Sequence, residues 1–183
     1  MKMVIRYFER KIEIPEGCSV VIDNALIKIT SPKGNVQKDM KNKLVKSEVT
    51  KDSVLLYAEK NTKTFKKLVF TFSSHLKNML TGLVEGHKYV LKICSGHFPM
   101  SVAVKGNKFE VKNFIGENKP RILKLHEGVS VKMNGTEIVV ESIDKELAGQ
   151  TAASIEQLTR RPGFDRRIFQ DGIYITEKDG KKI

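Results

Sequence analysis

The sequence predicts an α+β protein of two tandem duplicated small domains, each a short, mostly antiparallel sheet backed by a helix. Three observations predict this: an internal repeat, a period-two apolar alternation in each copy, and one helical apolar stripe per copy. The repeat sets PEGCSVVIDNALIKIT (15–30) against HEGVSVKMNGTEIVVE (126–141), without a gap, at an offset of 111 residues. Glu16, Gly17, Ser19, Val20 and Ile27 meet the identical Glu127, Gly128, Ser130, Val131 and Ile138. Ile12 and Ile14 likewise meet Leu123 and Leu125, and Ile29 meets Val140. The matches fall on one turn–strand–turn–strand pattern, which favours duplication over coincidence.

Each copy reads as a strand, a Glu-Gly turn, a strand, a tight Asx turn and another strand. Asp23-Asn24 and Asn134-Gly135 are pairs that tolerate the positive φ of short hairpins. Ile12 and Ile14, and Val129, Val131 and Met133, alternate with polar residues, so one face of each sheet is buried. That face needs a cover. In the first copy the helix is TFKKLVFTFSSHLKNMLTGLVEG, with Phe65, Leu68, Phe72, Leu76, Met79 and Leu83 as its stripe. In the second, Leu147, Thr151, Ile155 and Leu158 form the stripe, flanked by Ala148 and Ala152. Asp144 is its N-cap, and Arg160 and Arg161 lie at the C-terminal end, where cations suit the helix dipole. Gly149 breaks the pattern, because glycine costs about 1 kcal/mol relative to alanine inside a helix. Its thin flank lets a backbone come close, either the sheet's own or a partner's.

Between the repeats, HKYVLKICS reads as a strand and MSVAVKGNKFEVKNF as a hairpin turning at Gly106-Asn107. LVKSEVT and SVLLYAEK add strand material to the first copy. The domains are 1–83 and 84–183, with the boundary near Gly82 to Gly86. Neither holds more than 100 residues, so each core is modest.

The 183 residues carry 33 Lys and Arg against 21 Asp and Glu, a net charge of +12. Such a surplus calls for an anionic partner, nucleic acid first and an anionic membrane second. The membrane reading weakens because no run approaches the roughly 18 apolar residues of a spanning helix. The start, MKMVIRYFERKIEIPEG, has no uninterrupted apolar signal core. Two cysteines, Cys18 and Cys94, make no disulfide framework and suit a reducing compartment, cytoplasm or nucleus.

Catalytic motifs are missing from the sequence. SPKGNV lacks the Walker spacing and its Gly-Lys-Ser/Thr ending, and there is no nucleophile elbow or HExxH. Cys94 and His97 have a Cys-x-x-His spacing, but a structural zinc site takes four ligands, and Cys18, His75, His87 and His126 are scattered singly. The expectation is no enzyme, no metal, no cofactor and no small-molecule substrate. The basic residues are more informative. Arg160, Arg161, Arg166, Arg167, Lys178, Lys181 and Lys182 face four acids in 160–182. Lys28, Lys33, Lys38, Lys41, Lys43 and Lys46 face only Asp39 and Glu48 in the first copy. Arginine offers a planar fork to phosphate and lysine a point charge. With no Trp and no RNP-type aromatic motif, the pattern favours phosphate and folded shape over single-stranded sequence.

SIDKELAGQTAASIEQLTRR followed by DRRIFQDGIYI resembles the universal large-subunit ribosomal protein L-six family, in the form eukaryotes call L-nine. The matching motif is Gly149-Gln150 at the helix start, paired Ala152 and Ala153, Arg160 near the helix end, and the closing Gly172, Ile173 and Tyr174. GHFPMSV and VKNFIGE resemble the archaeal and eukaryotic branch. RRPGFDRRIFQ departs from the Pro-Glu-Pro-Tyr-Lys-type segment of bacterial members, so bacterial contacts there do not carry over. The resemblance implies a structural constituent of the large ribosomal subunit, binding large-subunit rRNA near the sarcin-ricin hairpin and the translation-factor region. It also implies neighbouring ribosomal proteins as partners, a cytoplasmic, ribosome-bound location, and assembly in the nucleolus if the source is eukaryotic. The rRNA-binding positions it suggests are Gly149, Gln150 and Arg160, with the basic tail around Arg166, Arg167 and Lys178; the charge of the same segment adds Arg161, Lys181 and Lys182. The rival readings are a non-ribosomal RNA-binding module and a protein-interaction module whose lysines only solvate it.

Overall fold

The computed structural model describes residues 6–23, 26–40, 44–50, 52–165 and 167–183. Asn24 of the first Asx turn, Lys41 and Lys43 of the lysine cluster, and Arg166 lie outside the described residues. The chain forms two compact units, Met1–Glu85 and Gly86–Ile183.

The first unit contains β1 (Tyr7–Glu13), β2 (Ser19–Asp23), β3 (Leu26–Ser31), β4 (Gly34–Asp39), β5 (Val45–Val49), β6 (Ser53–Ala58) and α1 (Lys63–Val84). Its strands divide into two antiparallel sheets, ordered β1-β6-β5 and β2-β3-β4. Helix α1 packs on both. The Thr62 hydroxyl caps its start by accepting from the Phe65 amide. Its fully buried side is Val69, Ser73, Leu76, Met79, Leu80 and Leu83, while Phe65, Leu68 and Phe72 are only half-buried. The apolar arc is wider than one stripe, and the sheets take the edge carrying Val69 and Leu80. Helical spacing fixes the arc; it does not choose the part that faces inward.

The second unit contains β7 (His87–Cys94), β8 (Ser101–Lys105), β9 (Lys108–Lys112), β10 (Arg121–Lys124), β11 (Val129–Asn134), β12 (Glu137–Ser142), α2 (Lys145–Leu158), β13 (Gly172–Lys178) and β14 (Lys181–Lys182). A five-stranded antiparallel sheet runs β11-β12-β7-β13-β14, and a smaller one runs β10-β9-β8. The architecture is therefore the predicted antiparallel α+β, with two sheets per unit where one was expected. Both sheets and α2 enclose a core of Leu91, Phe109, Val111, Phe114, Ile138, Val140, Ala148, Ala152, Ile155 and Ile173. Burying one such large aliphatic side chain contributes about 2 kcal/mol.

The repeat is visible in the pairing itself. In β2–β3, Val20 faces Ile29 and Ile22 faces Ile27. In β11–β12, Val131 faces Val140 and Met133 faces Ile138, the same register moved by 111 residues. The shared Glu-Gly turns also match, with Gly17 at φ +83° and Gly128 at φ +82°. Only glycine takes that left-handed conformation without a Cβ penalty.

Candidate nucleic-acid interface

Helix α2 organises the basic residues of the second unit. It starts at the Asp144 carboxylate, which accepts from the Glu146 amide at 2.8 Å, as a capping aspartate should. Lys145 reaches Asp179 at 2.7 Å, and the buried His87 ring meets the same carboxylate at 2.9 Å. These contacts tie the helix start to the turn between β13 and β14. Burial pushes the Asp179 carboxyl up, but the Lys145 and His87 contacts outweigh it and hold it below its ordinary range.

Gly149 packs against Tyr89 of β7. A Cβ placed there would lie 3.2 Å from the tyrosine oxygen and 3.5 Å from the ring carbon that bears it. Within the fold, the close neighbour of the thin flank is thus a side chain rather than a strand backbone. Gln150, the next residue, is exposed. Lys178 is the register partner of both Tyr89 and Lys181, so Lys178, Lys181 and Lys182, all exposed, gather beside the N-terminal part of α2.

The arginines lie elsewhere. No basic residue occupies the last turn of α2, and Thr159 is its C-cap. Arg160 and Arg161 follow the helix instead of ending it. The terminal carbonyls are served by Arg121 of β10, whose guanidinium donates to Leu158 O at 2.7 Å and to Arg160 O at 3.3 Å. The same group makes a two-pronged contact with Glu117 at 2.6 and 2.8 Å and lies 4.5 Å from the Phe114 ring centre. The Arg121 contact leads the causes that hold the Glu117 carboxyl below its usual range.

The segment after the helix is folded back by side chains. The Arg161 guanidinium lies 4.2 Å from the Phe164 ring centre, and Phe164 meets Phe169 edge-to-face at 4.9 Å. Asp165 accepts from the Arg167 amide at 2.9 Å and from its guanidinium at 3.1 and 3.2 Å, so part of the Arg167 charge is already answered. Asp171 fixes the far end. Its buried carboxylate accepts from the Gly96 and His97 amides at 2.7 and 3.0 Å and meets His97 Nδ1 at 2.5 Å. Burial raises its proton affinity, and the His97 and Gly96 hydrogen bonds more than reverse that. Arg160 is exposed, and its guanidinium has no partner among the described residues.

The sequence-predicted site therefore separates into two groups at opposite ends of α2, whose 14 residues span about 20 Å. Gly149, Gln150, Lys178, Lys181 and Lys182 stand toward one end, and Arg160, Arg161 and Arg167 at the other. Arg166 belongs to the outlying residues already named. The groups that fix the arginine end, Arg121, Glu117, His97 and Asp171, carry little sequence signal. Glu117 and Arg121 have i,i+4 spacing, but in a loop and strand rather than a helix. Among the described residues, no three His, Cys, Asp or Glu side chains are grouped to hold a metal, and no helix is long and apolar enough to cross a membrane.

The ribosomal protein L6 family model matches residues 98–172. The large ribosomal subunit protein uL6 of Methanosarcina mazei is 46% identical over 175 residues, covering 96% of this chain and 99% of its own length. The chain belongs to the ribosomal protein L6 family. Proteins of the same description from Ignicoccus hospitalis and Methanospirillum hungatei are 40% and 39% identical, over 92% and 93% of this chain and 93% and 97% of their own. Within this L6-family chain, the matched span holds β8 to α2 and the arginine segment as far as Gly172. It stops short of Lys178, Lys181 and Lys182.

Proposed function

We propose that this protein is a structural, non-catalytic constituent of the large ribosomal subunit that binds large-subunit rRNA through its second unit. The contacts lie near the sarcin-ricin hairpin and the translation-factor region. The observation that carries the reading is the pair of cationic groups at the two ends of one rigid helix, in a chain of net charge +12. Such a pair suits two phosphate runs of a folded RNA better than one strand, because each cation that meets a phosphate releases counterions and fixes register without reading sequence. Arg160, Arg161 and Arg167 act at one end, and Lys178, Lys181 and Lys182 at the other; Arg166 is a further proposed phosphate contact. Gln150 is the exposed polar group beside Gly149, whose missing side chain lets that turn sit close over Tyr89. The first unit extends the footprint or meets a neighbouring ribosomal protein. Neutralising phosphates where helices converge offsets their repulsion, and this supports subunit assembly and the factor-binding region.

Near-full-length similarity to proteins described as large ribosomal subunit protein uL6 favours this reading over a non-ribosomal RNA-binding module. The test is binding of the full chain to an rRNA fragment carrying the sarcin-ricin hairpin, across a salt series. Arg160→Ala with Arg166→Ala should weaken binding and reduce the salt slope by up to about two, one unit for each lost phosphate contact. An unchanged slope would refute the role of these arginines. Sedimentation of tagged protein away from the large subunit would refute the ribosomal assignment.

A further inference from the structure

A cavity of about 270 Å³ opens beside the arginine end of α2. We infer that this cavity receives one unstacked RNA base, with Phe164 as its stacking face and Gln157 as its edge reader. The inference rests on the proposed RNA-binding role and adds a base contact to what were otherwise phosphate contacts.

The cavity is smaller than the roughly 300–1,000 Å³ that holds a drug-sized ligand, so its occupant is about one ring system. Phe164, Phe169 and Tyr174 supply flat surfaces in its wall. Phe164 is 36% exposed and carries the Arg161 guanidinium 4.2 Å from its ring centre. Aromatic rings and guanidinium planes are the surfaces on which splayed RNA bases stack. Tyr174 leans over Gly172 so closely that a Cβ there would lie 3.2 Å from its ring; the missing side chain leaves Tyr174 room to take that place in the wall.

The interior does not suit a phosphate. Two carboxylates, Glu156 and Asp171, line it and would repel an anion. Both already accept backbone amides, Glu156 from Ile175 at 3.2 Å and Asp171 from Gly96 and His97. The Thr159 hydroxyl is committed too, donating to Glu156 O and accepting from the Ile173 amide. What remains open is the Gln157 amide and the Arg160 guanidinium, neither with a side-chain partner among the described residues. An amide presents a donor and an acceptor together, as a base edge does. Arg160 at the rim suits the phosphate of the same nucleotide.

The experiment scans the rRNA fragment with single abasic substitutions and measures binding to the full chain, to Phe164→Ala and to Phe164→Leu. At one position, loss of the base should weaken wild-type binding by at least roughly fivefold, the lower end for one stacked base. The same lesion should cost both variants less than about twofold, since the stacking face is already gone. Phe164→Leu keeps apolar packing in the loop, and wild-type urea midpoints together with wild-type binding of the abasic fragment in both variants exclude misfolding as the cause. If wild-type binding is salt-dependent but no position responds, or the variants lose as much as wild type, the base site is overturned and the phosphate-binding role stands. If the wild-type chain does not bind the fragment, both are overturned.

Discussion

The Arg121 guanidinium donates to the Leu158 carbonyl at 2.7 Å, so a strand of the small sheet closes the C-terminal end of α2. The contact joins Glu117, β10, the helix end and the start of the arginine segment in one network. Arg121→Met removes the cap and leaves the Glu117 carboxylate without its fork. The full chain should lose about 1–3 kcal/mol in urea unfolding, the range for hydrogen bonds to charged groups. Arg121→Lys should restore less than half of that, because a point charge cannot serve the carboxylate and the carbonyl together. An unchanged midpoint in both variants would rule the cap out.

Gly149 and Tyr89 should show coupled energetics. Gly149→Ala gains about 1 kcal/mol of helix propensity but places a Cβ 3.2 Å from the tyrosine oxygen. The two effects nearly cancel, and the single variant should stay within about 0.5 kcal/mol of wild type. With Tyr89→Phe the obstructing oxygen is gone, and Gly149→Ala should stabilise by about 0.5–1 kcal/mol. A double-mutant cycle by chemical denaturation reads the difference directly. Strict additivity would show that the tyrosine is not what selects glycine here.

The hairpins were legible because period-two burial and turn chemistry are local. Val20, Ile29, Val131 and Val140 announce their faces, and Gly17 and Gly128 announce their turns. Asp144 was legible as a cap for the same reason. The burial of Val69 ahead of Phe65 and Phe72 was not, since it depends on the sheets α1 meets. The split of the basic residues between two helix ends was also hidden. Lys178 lies 18 positions after Arg160, and only the return of the chain through β13 carries it to the opposite end. Arg121 gives no sequence signal as a cap, because its partners, Leu158 and Arg160, lie 37 and 39 positions away.

Asp171 should dominate the acid limb of stability in the second unit. Its carboxyl is held below its ordinary range in the folded chain. The ionised form therefore stabilises the fold above about pH 4, and that contribution disappears as pH falls through the lower folded value. Asp179 acts with the same sign. Asp171→Asn should cost about 1–2 kcal/mol at pH 7 and should lose less on acidification than wild type. Urea midpoints at pH 7, 4 and 3 check this, and parallel pH profiles would refute the assignment.

Asp165 engages Arg167, one of the residues proposed to meet RNA phosphate. Its carboxylate accepts from both the amide and the guanidinium of Arg167, and the Arg167 side-chain contact leads the causes that lower its pKa. The pair is exposed, with 91% of the Arg167 side chain open to solvent, so the contact adds little to stability. Its consequence lies in charge. Asp165→Asn removes a negative group from the arginine end and releases the guanidinium for phosphate. Binding to the rRNA fragment should tighten, and its salt slope should steepen by up to about one unit, one phosphate contact. Thermal stability should be nearly unchanged. Weaker binding with the fold intact would show instead that Asp165 presents Arg167 to RNA in a required orientation.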